Sequence, residues 1–299
     1  MSNINIDENL VRTLVAKQFP QWSNLTVRSV AASGWDNRTF HLGDQMSVRL
    51  PSAAGYSGQV LTEHRWLPRL APLLPLHIPV PLAIGEPAFG YPWKWSVYRW
   101  LSGVTADSTR INNASEFAST LARFLIALQR ADPLDGPRPG PHNFYRGGSL
   151  STYSTQAREA IFRLHGKIDT ATATALWDAA LDSYWEKPAV WIHGDVSAGN
   201  LLVDHGRLNA VIDFGQMAVG DPACDLAISW TFFAGKSRRM FRTALALDKG
   251  TWARARAWAL WKTAIIASGM TANNAVTSHH AFRVIANVLA EHRLEATTT

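Results

Sequence analysis

The chain has 299 residues, of which 47% are apolar and 17% charged, and a formal net charge of +6. The apolar share supports a large buried core and excludes wholesale disorder, while a single cysteine, Cys224, excludes an internal disulfide or a cysteine-built zinc site. No run reaches the ~20 apolar residues of a membrane span, because Lys262 interrupts the best stretch, residues 257–267.

Residues 1–9 are polar and acidic and carry no signal-peptide pattern, so the expectation is a cytoplasmic protein with no membrane partner. Residues 25–31 alternate weakly as a strand. Residues 38–42 and 46–50 read as paired strands around a Gly43-Asp44 turn. Residues 61–70 have helical spacing, with Glu63, Arg65 and Arg69 among apolar positions. Prolines at 72, 75, 79 and 81 then force extended chain, and residues 83–85 and 93–101 read as two further strands. The first hundred residues are thus short strands around one helix.

After Gly103 the pattern turns helical. Residues 116–130 form an amphipathic segment stopped by Asp132-Pro133. Residues 135–148 are rich in Pro and Gly and form a loop bearing His142, Asn143 and Arg146, either a lid or a plain surface connection. Helical segments follow at 154–165 and 172–186. Strand-like pieces come at 189–192, 201–203 and 208–212, the last two joined by Asp204-His205-Gly206. From Cys224 onward everything reads as helix. The expected fold class is α+β, with a small antiparallel-sheet lobe over residues 1–101 and a larger, mainly helical lobe over 102–299. The positive charge raises nucleic acid as a partner, but the densest basic patch, Lys236, Arg238, Arg239 and Arg242, has no recognition motif around it. It reads as a solvated basic face, and no nucleic-acid partner is expected.

The segment richest in chemistry runs from 191 to 226. It holds His193-Gly194-Asp195, then Asn200, then Asp213-Phe214-Gly215, then Asp221-Pro222-Ala223-Cys224-Asp225-Leu226. Two carboxylates and a carboxamide therefore sit on loops at the ends of short strands. Such oxygen ligands suit Mg²⁺, which takes one or two carboxylates together with water and phosphate oxygens. Phosphoryl transfer asks for this combination, with a further carboxylate to receive an incoming hydroxyl. Singly, an Asp beside Gly is a turn residue and an Asn is a loop cap; jointly, in this order, they outweigh that reading. His193 reads as a packing and hydrogen-bonding residue that holds the loop.

This spacing resembles the protein-kinase catalytic loop, with Gly194 where protein kinases carry Arg, followed by the metal-binding Asp-Phe-Gly. With Asp-Pro-x-x-Asp-Leu downstream, it resembles the aminoglycoside phosphotransferase family, which also includes macrolide, choline and homoserine kinases. The resemblance implies a protein-kinase-like two-lobed fold, Mg²⁺, and ATP or GTP as donor to a small-molecule hydroxyl. It makes Asp195 the catalytic carboxylate, Asn200 and Asp213 the metal ligands, and Asp225 a support for the loop. In the family a strand lysine contacts phosphate and pairs with a helix glutamate. Here Arg49 stands at that lysine's position, with Glu63 as partner, and a planar fork replaces a point charge. Arg49 is either a phosphate clamp or half of a purely structural pair. Ser33 and Gly34, in Ser33-Gly34-Trp35-Asp36-Asn37, fall where the phosphate-covering loop belongs, with one glycine only. Tyr98 and Trp100 fall on the linker expected to meet the base through its backbone. Gly235-Lys236-Ser237 imitates the end of a P-loop, but Trp230 stands where the first glycine belongs.

From residue 226 on there are three acids against ten Lys and Arg, together with Trp230, Phe232, Phe233, Trp252, Trp258 and Trp261. An aromatic lining without carboxylates favours an apolar, neutral or anionic acceptor, macrolide-like rather than a polycationic aminoglycoside. Asp132 and Asp135 remain within reach of the cleft from the Pro/Gly loop. Antibiotic resistance and metabolism both stay open as roles, as does the oligomeric state. The alternatives are a non-catalytic, nucleotide-binding regulatory protein on the same scaffold and a metal-dependent hydrolase. The complete set of Asp195, Asn200 and Asp213 argues against the first, and the lack of further His and Asp ligands against the second.

Overall fold

The computed structural model describes residues 4–30, 36–271 and 275–296. The chain opens with helix α1 (Glu8–Gln18), which the Asp7 carboxylate caps by accepting the Leu10 N–H at 2.9 Å. Its buried stripe is Val11, Leu14 and Val15. This helix corrects the expectation of a single helix in the first hundred residues. Its cap and its 11/14/15 spacing are both legible, but they are diluted by the polar residues around them.

Five strands make an antiparallel sheet: β1 (Val27–Ser29), β2 (Asn37–Leu42), β3 (Met46–Pro51), β4 (Pro81–Gly85) and β5 (Trp95–Arg99), in the order β1-β2-β3-β5-β4. Leu42 pairs with Met46, and Gly43 takes a φ of +59° at the turn. Phe40, Leu42, Val48, Leu50, Trp95 and Val97 form one buried cluster with the α1 stripe. Helix α2 (Ala54–Ser57) leads into α3 (Gln59–Leu70), whose buried positions Val60, Glu63, Trp66, Leu67 and Leu70 lie on one helical face. Trp66 leaves the small lobe's core altogether and meets Trp191 edge-on at 5.0 Å. Glu63 is thereby held between the sheet and the larger part of the molecule.

The larger part begins with β6 (Val104–Thr105) and α4 (Ala114–Arg130), capped by Asn113. It continues through α5 (Ser154–Arg163), α6 (Thr170–Leu181), β7 (Val190–Ile192), β8 (Leu201–Asp204), β9 (Arg207–Val211) and β10 (Ala218–Gly220). Helices α7 (Ile228–Thr231), α8 (Gly235–Leu245), α9 (Lys249–Ala267) and α10 (Ala275–Ala296) complete it. Strands β6-β8-β9 form one small sheet and β10-β7 another; β10 is too short to leave a sequence signal. The hairpin between β8 and β9 turns on His205 and Gly206, both at positive φ.

Helix α9 is buried on nearly every side, with Arg254 and Arg256 inside. Arg254 pairs with Asp221 at 2.7 Å, and Arg256 pairs with Glu295. The expected solvated basic face is corrected in part. Arg238 and Arg242 are only 18% and 29% exposed and share Glu291, while the Arg242 guanidinium stacks on Trp230 and Trp252. Of the aromatic residues beyond 226, most of which read as core from the sequence, Trp230, Phe233, Trp252, Trp258 and Trp261 are buried.

Candidate active site

The geometry is set by backbone. Gly194 follows β7 with a φ of +89°, and a Cβ there would lie 2.2 Å from the Gln216 carbonyl oxygen. No side chain fits either the conformation or the space. Asp225 fixes the same turn from behind. It is buried, and its two oxygens accept the His193 and Gly194 N–H groups, each at 2.8 Å. Burial pushes its carboxyl above the usual range, against the pull of His193 and these two donors.

His193 is fully buried and packs on Phe214 with ring centroids 4.4 Å apart. Its Nδ1 accepts the Asp195 N–H at 3.2 Å, which places the proton on Nε2, where it is donated to the Ile212 carbonyl at 2.9 Å. Both ring nitrogens are spent on the backbone of the two functional loops. The ring joins residue 195 to residue 212 and has no lone pair left for acid–base work.

Asn200 donates from Nδ2 to the Asp195 carbonyl oxygen at 2.9 Å and approaches the Asp195 carboxylate at 3.5 Å. Its own carbonyl accepts the Ile212 N–H at 2.9 Å, which brings it beside Asp213. Asp213 is itself held at a φ of +68°, a conformation that costs an L-residue energy. Its Oδ1 is 3.1 Å from Arg49 Nη2, while Arg49 Nη1 is 3.5 Å from Glu63. The fork of Arg49 thus spans a helix carboxylate and a loop carboxylate at once, which a lysine ammonium cannot do at equal distance. Burial alone would depress the Arg49 pKa, but Glu63 and Asp213 raise it above its ordinary value. Burial likewise pushes Glu63 up, against the pull of Arg49 and of the Tyr98 hydroxyl that donates to it.

A cavity of about 480 Å³ opens between the sheet and the larger lobe, a size that suits a small-molecule ligand. Asp36, Arg49, Tyr98, Trp100, Asn200 and Asp213 are all on its wall. Burial, then the neighbouring Asp213 charge, raises the Asp36 pKa. Trp100 lies against His41, with ring centroids 4.1 Å apart. Tyr98 contributes a side chain as well as backbone, since its ring lies 5.6 Å from the Arg49 guanidinium. Glu63 stands behind Arg49 and does not line the cavity. Ser33 and Gly34 lie outside the described residues.

Asp195 lies off this wall, beyond Asn200, and opens toward α9. There the structure adds a residue that the motif reading passes over. Lys262 Nζ is 2.8 Å from Asp195 Oδ1, with the two side chains 18% and 29% exposed. Burial works to raise the Asp195 pKa, but Lys262, with Arg146 and His193 behind it, outweighs burial and holds it below the usual carboxylate range. The signal was available: a lone lysine inside an apolar helical run requires a partner.

The Pro/Gly loop is anchored rather than hinged. Asn143 is buried and holds Gly140 N–H at 2.9 Å, and the Gly147 carbonyl accepts the Asp221 N–H at 2.8 Å. Arg146 is buried, donates to Gln216 at 2.8 Å and stacks against Tyr153, Trp258 and Trp261. Neither acid of the adjoining chain reaches Asp195 as an unpaired group: Asp132 caps the Leu134 N–H, and Asp135 pairs with Arg65.

Among the described residues no group of three or more His, Cys, Asp or Glu is placed to hold a metal. The oxygen set at the cavity, the Asp213 carboxylate with the Asn200 carboxamide, fits a hard cation that shares its shell with water and phosphate rather than a closed protein cage.

The profile of the phosphotransferase enzyme family (APH) matches residues 27–258. An uncharacterized protein of Bacillus subtilis (strain 168), YcbJ, is 26% identical over 193 residues, 61% of this chain and 56% of that protein, so the chain matches little more than half of that curated relative's length. The GDP complex of wild-type aminoglycoside 2′-phosphotransferase-IIIa superposes with a TM-score of 0.71 at 18% identity, over 96% of this chain and 99% of that one. Macrolide 2′-phosphotransferase MphH from Brachybacterium faecium, as apoenzyme, superposes with a TM-score of 0.60 at 21% identity, over 93% and 97%. These likenesses show the fold, a kinase-like arrangement of an antiparallel-sheet N-terminal lobe and a helical C-terminal part.

Proposed function

Since the chain belongs to the phosphotransferase enzyme family, we propose that it transfers the γ-phosphate of ATP or GTP, with Mg²⁺, to a hydroxyl of a small molecule. The observation that carries the reading is the linkage of Asp195, Asn200 and Asp213 through His193 and the Asn200 carboxamide, with Asn200 and Asp213 on the cavity wall beside Arg49 and Asp195 next to them. In this reading residues 1–101 are the nucleotide lobe and residues 102–299 carry the acceptor side. The linker at Tyr98 and Trp100 takes the base. Arg49, steadied by Glu63, neutralises phosphate charge.

Asn200 and Asp213 would hold the metal, which would supply positive charge against the phosphate oxygens. Asp195 receives the acceptor hydroxyl, orients it for in-line attack and accepts its proton as the phosphoryl group arrives. With a loose transition state, placement and fixed charge supply most of the acceleration, and a weak base suffices. The depressed pKa of Asp195 is compatible with that division of labour, because its task is to orient an O–H rather than to strip it early.

The commitment of the acids beyond residue 226, Asp248 to a helix cap and Glu291 and Glu295 to Arg238, Arg242 and Arg256, supports an acceptor that is not a polycation, macrolide-like rather than aminoglycoside among antibiotics, or else a metabolite. The test is transfer of labelled γ-phosphate from ATP and from GTP to macrolide, aminoglycoside, choline, homoserine and sugar acceptors. An acceptor-dependent product that disappears in Asp195→Ala is the expected result. A product that survives the substitution refutes the assignment.

A further inference from the structure

Lys262 stands against Asp195, the carboxylate that in the proposed reading receives the acceptor hydroxyl. It reaches there from α9, whose other cations are directed elsewhere, Arg254 to Asp221 and Arg256 to Glu295. The Lys262–Asp195 pair is part-exposed, 18% and 29%, so it is not sealed in the core. A second cation backs it. Arg146 is 8% exposed, its guanidinium lies 5.1 Å from the ring centroids of both Trp258 and Trp261, and its Nη1 has no hydrogen-bond partner.

The acids that might offset these charges are committed. Asp248 caps α9, and Glu291 and Glu295 are bound by Arg238, Arg242 and Arg256. Asp225, directly behind the loop, is occupied by two backbone N–H groups. Among the described residues, the carboxylate paired with Lys262 is therefore Asp195 itself, the group that an acceptor hydroxyl would approach. An acceptor that takes up the Asp195 oxygen loosens the Lys262 ion pair, and the ammonium then needs a new counter-charge in a partly desolvated site.

We propose that Lys262, with Arg146 behind it, makes the acceptor face of Asp195 an anion-binding site, so that the molecule phosphorylated carries a carboxylate or phosphate close to its reacting hydroxyl. This rests on the phosphotransferase reading and narrows it. It moves the acceptor away from amino-sugar antibiotics, whose ammonium groups would meet Lys262 as like charges, toward acidic hydroxy compounds. Lys262 acts as a specificity-determining residue, and its charge rather than its shape carries the effect.

The test is calorimetric titration of the full chain with Mg²⁺ and a non-hydrolysable nucleotide analogue present. The probes are charge series on two scaffolds: glycerate, glycerol and serinol; and gluconate or glucose 6-phosphate, glucose and glucosamine. The expected ranking is anion over neutral over cation, by about tenfold at the first step. Lys262→Gln should flatten that ranking and Lys262→Glu should reverse it, with melting temperatures checked for both.

A flat or cation-first ranking in the wild type overturns the proposal, as does a ranking that Lys262→Glu leaves unchanged. Equal loss of affinity for every probe in Lys262→Gln, with the ranking retained, would take the charge discrimination away from Lys262 and also overturn it. The nucleotide titration separates the two levels. Nucleotide bound with a flat acceptor ranking sinks the anion site alone; no nucleotide bound sinks the phosphotransferase reading and this inference with it.

Discussion

Replacing Arg49 by Met removes the one cation that serves both Glu63 and Asp213. Glu63 suffers most. Its side chain is 5% exposed, its ion-pair partner is Arg49 at 3.5 Å, and the Tyr98 hydroxyl is the other group that stabilises its charge. Breaking a buried pair from one side costs roughly 3–5 kcal/mol, because the remaining charge stays desolvated. For a chain of 299 residues the unfolding entropy at the midpoint is about 0.6 kcal/mol/K, so the melting temperature should fall by about 5–8 °C at pH 7.5.

The sign of the pH dependence follows from Glu63. Its folded pKa already lies above the unfolded value, and losing Arg49 moves it higher, so the folded variant binds the proton that the unfolded chain releases. The deficit is therefore full above that raised pKa and shrinks as pH falls through it. Scanning calorimetry at pH 7.5 and pH 5 measures both points. Glu63→Leu added to Arg49→Met should recover more than half of the loss, while Arg49→Lys should lose about 2–5 °C, since one of two charge-assisted contacts survives. A shift below about 2 °C for Arg49→Met at pH 7.5, or a deficit that does not change between the two pH values, would refute the account of Arg49 as the common counter-ion.

Asp195→Asn should cut transfer by about 10²–10⁴-fold while leaving nucleotide affinity within twofold, as read by a labelled-phosphate assay beside equilibrium binding. Asp213→Asn should raise the Mg²⁺ concentration needed for half-maximal nucleotide binding by about tenfold, since one of few anionic ligands is lost; an unchanged Mg²⁺ titration would remove Asp213 from the metal site. Gly194→Ala should destabilise by about 1–2 kcal/mol from the left-handed backbone alone, and the 2.2 Å approach to the Gln216 carbonyl adds a displacement of the loop, so turnover should fall further than stability. In the wild type the acid limb of the rate profile should lie below the usual carboxylate range, because Lys262 keeps Asp195 ionised. Lys262→Gln removes the largest influence opposing burial and should move that limb to higher pH.

The sequence shows the strands and the loop residues for different reasons. Strands β2 and β3 are short, alternate cleanly and close on a Gly43 turn, so pairing and register can be read locally. Residues 193, 195, 200, 213 and 225 are legible because the spacing between loop ends is itself the signal. Helix α1 carries a cap and three apolar positions, too little to stand out from a polar stretch. The burial of Trp230, Phe233, Trp252, Trp258 and Trp261 depends on which side of α9 meets α10, α5 and the residues after β10, and no local period records that. Lys262 is the clearest case. Its identity as a break in an apolar run is visible at once, yet its partner lies 67 residues earlier in the chain and only the tertiary fold brings the two together. The same holds for Arg238 and Arg242, whose shared Glu291 lies on another helix.

Helix α9 has a consequence for the order in which this molecule becomes competent. Every motif of the site is synthesised by residue 226, before the first residue of α9 has been added. A nascent chain of that length would hold Asp195 without its ammonium partner, Asp221 without Arg254, and Arg146 without the two indoles it packs against. Since α9 is buried on almost every side and joins three distant segments through charge, its docking and the setting of the loop at 193–200 should form one cooperative unit, not two successive steps. Hydrogen exchange should therefore show residues 193–200 and 254–262 gaining protection together, and a ribosome-stalled chain ending near residue 245 should leave the loop at 193–200 unprotected although all of its motif residues are present.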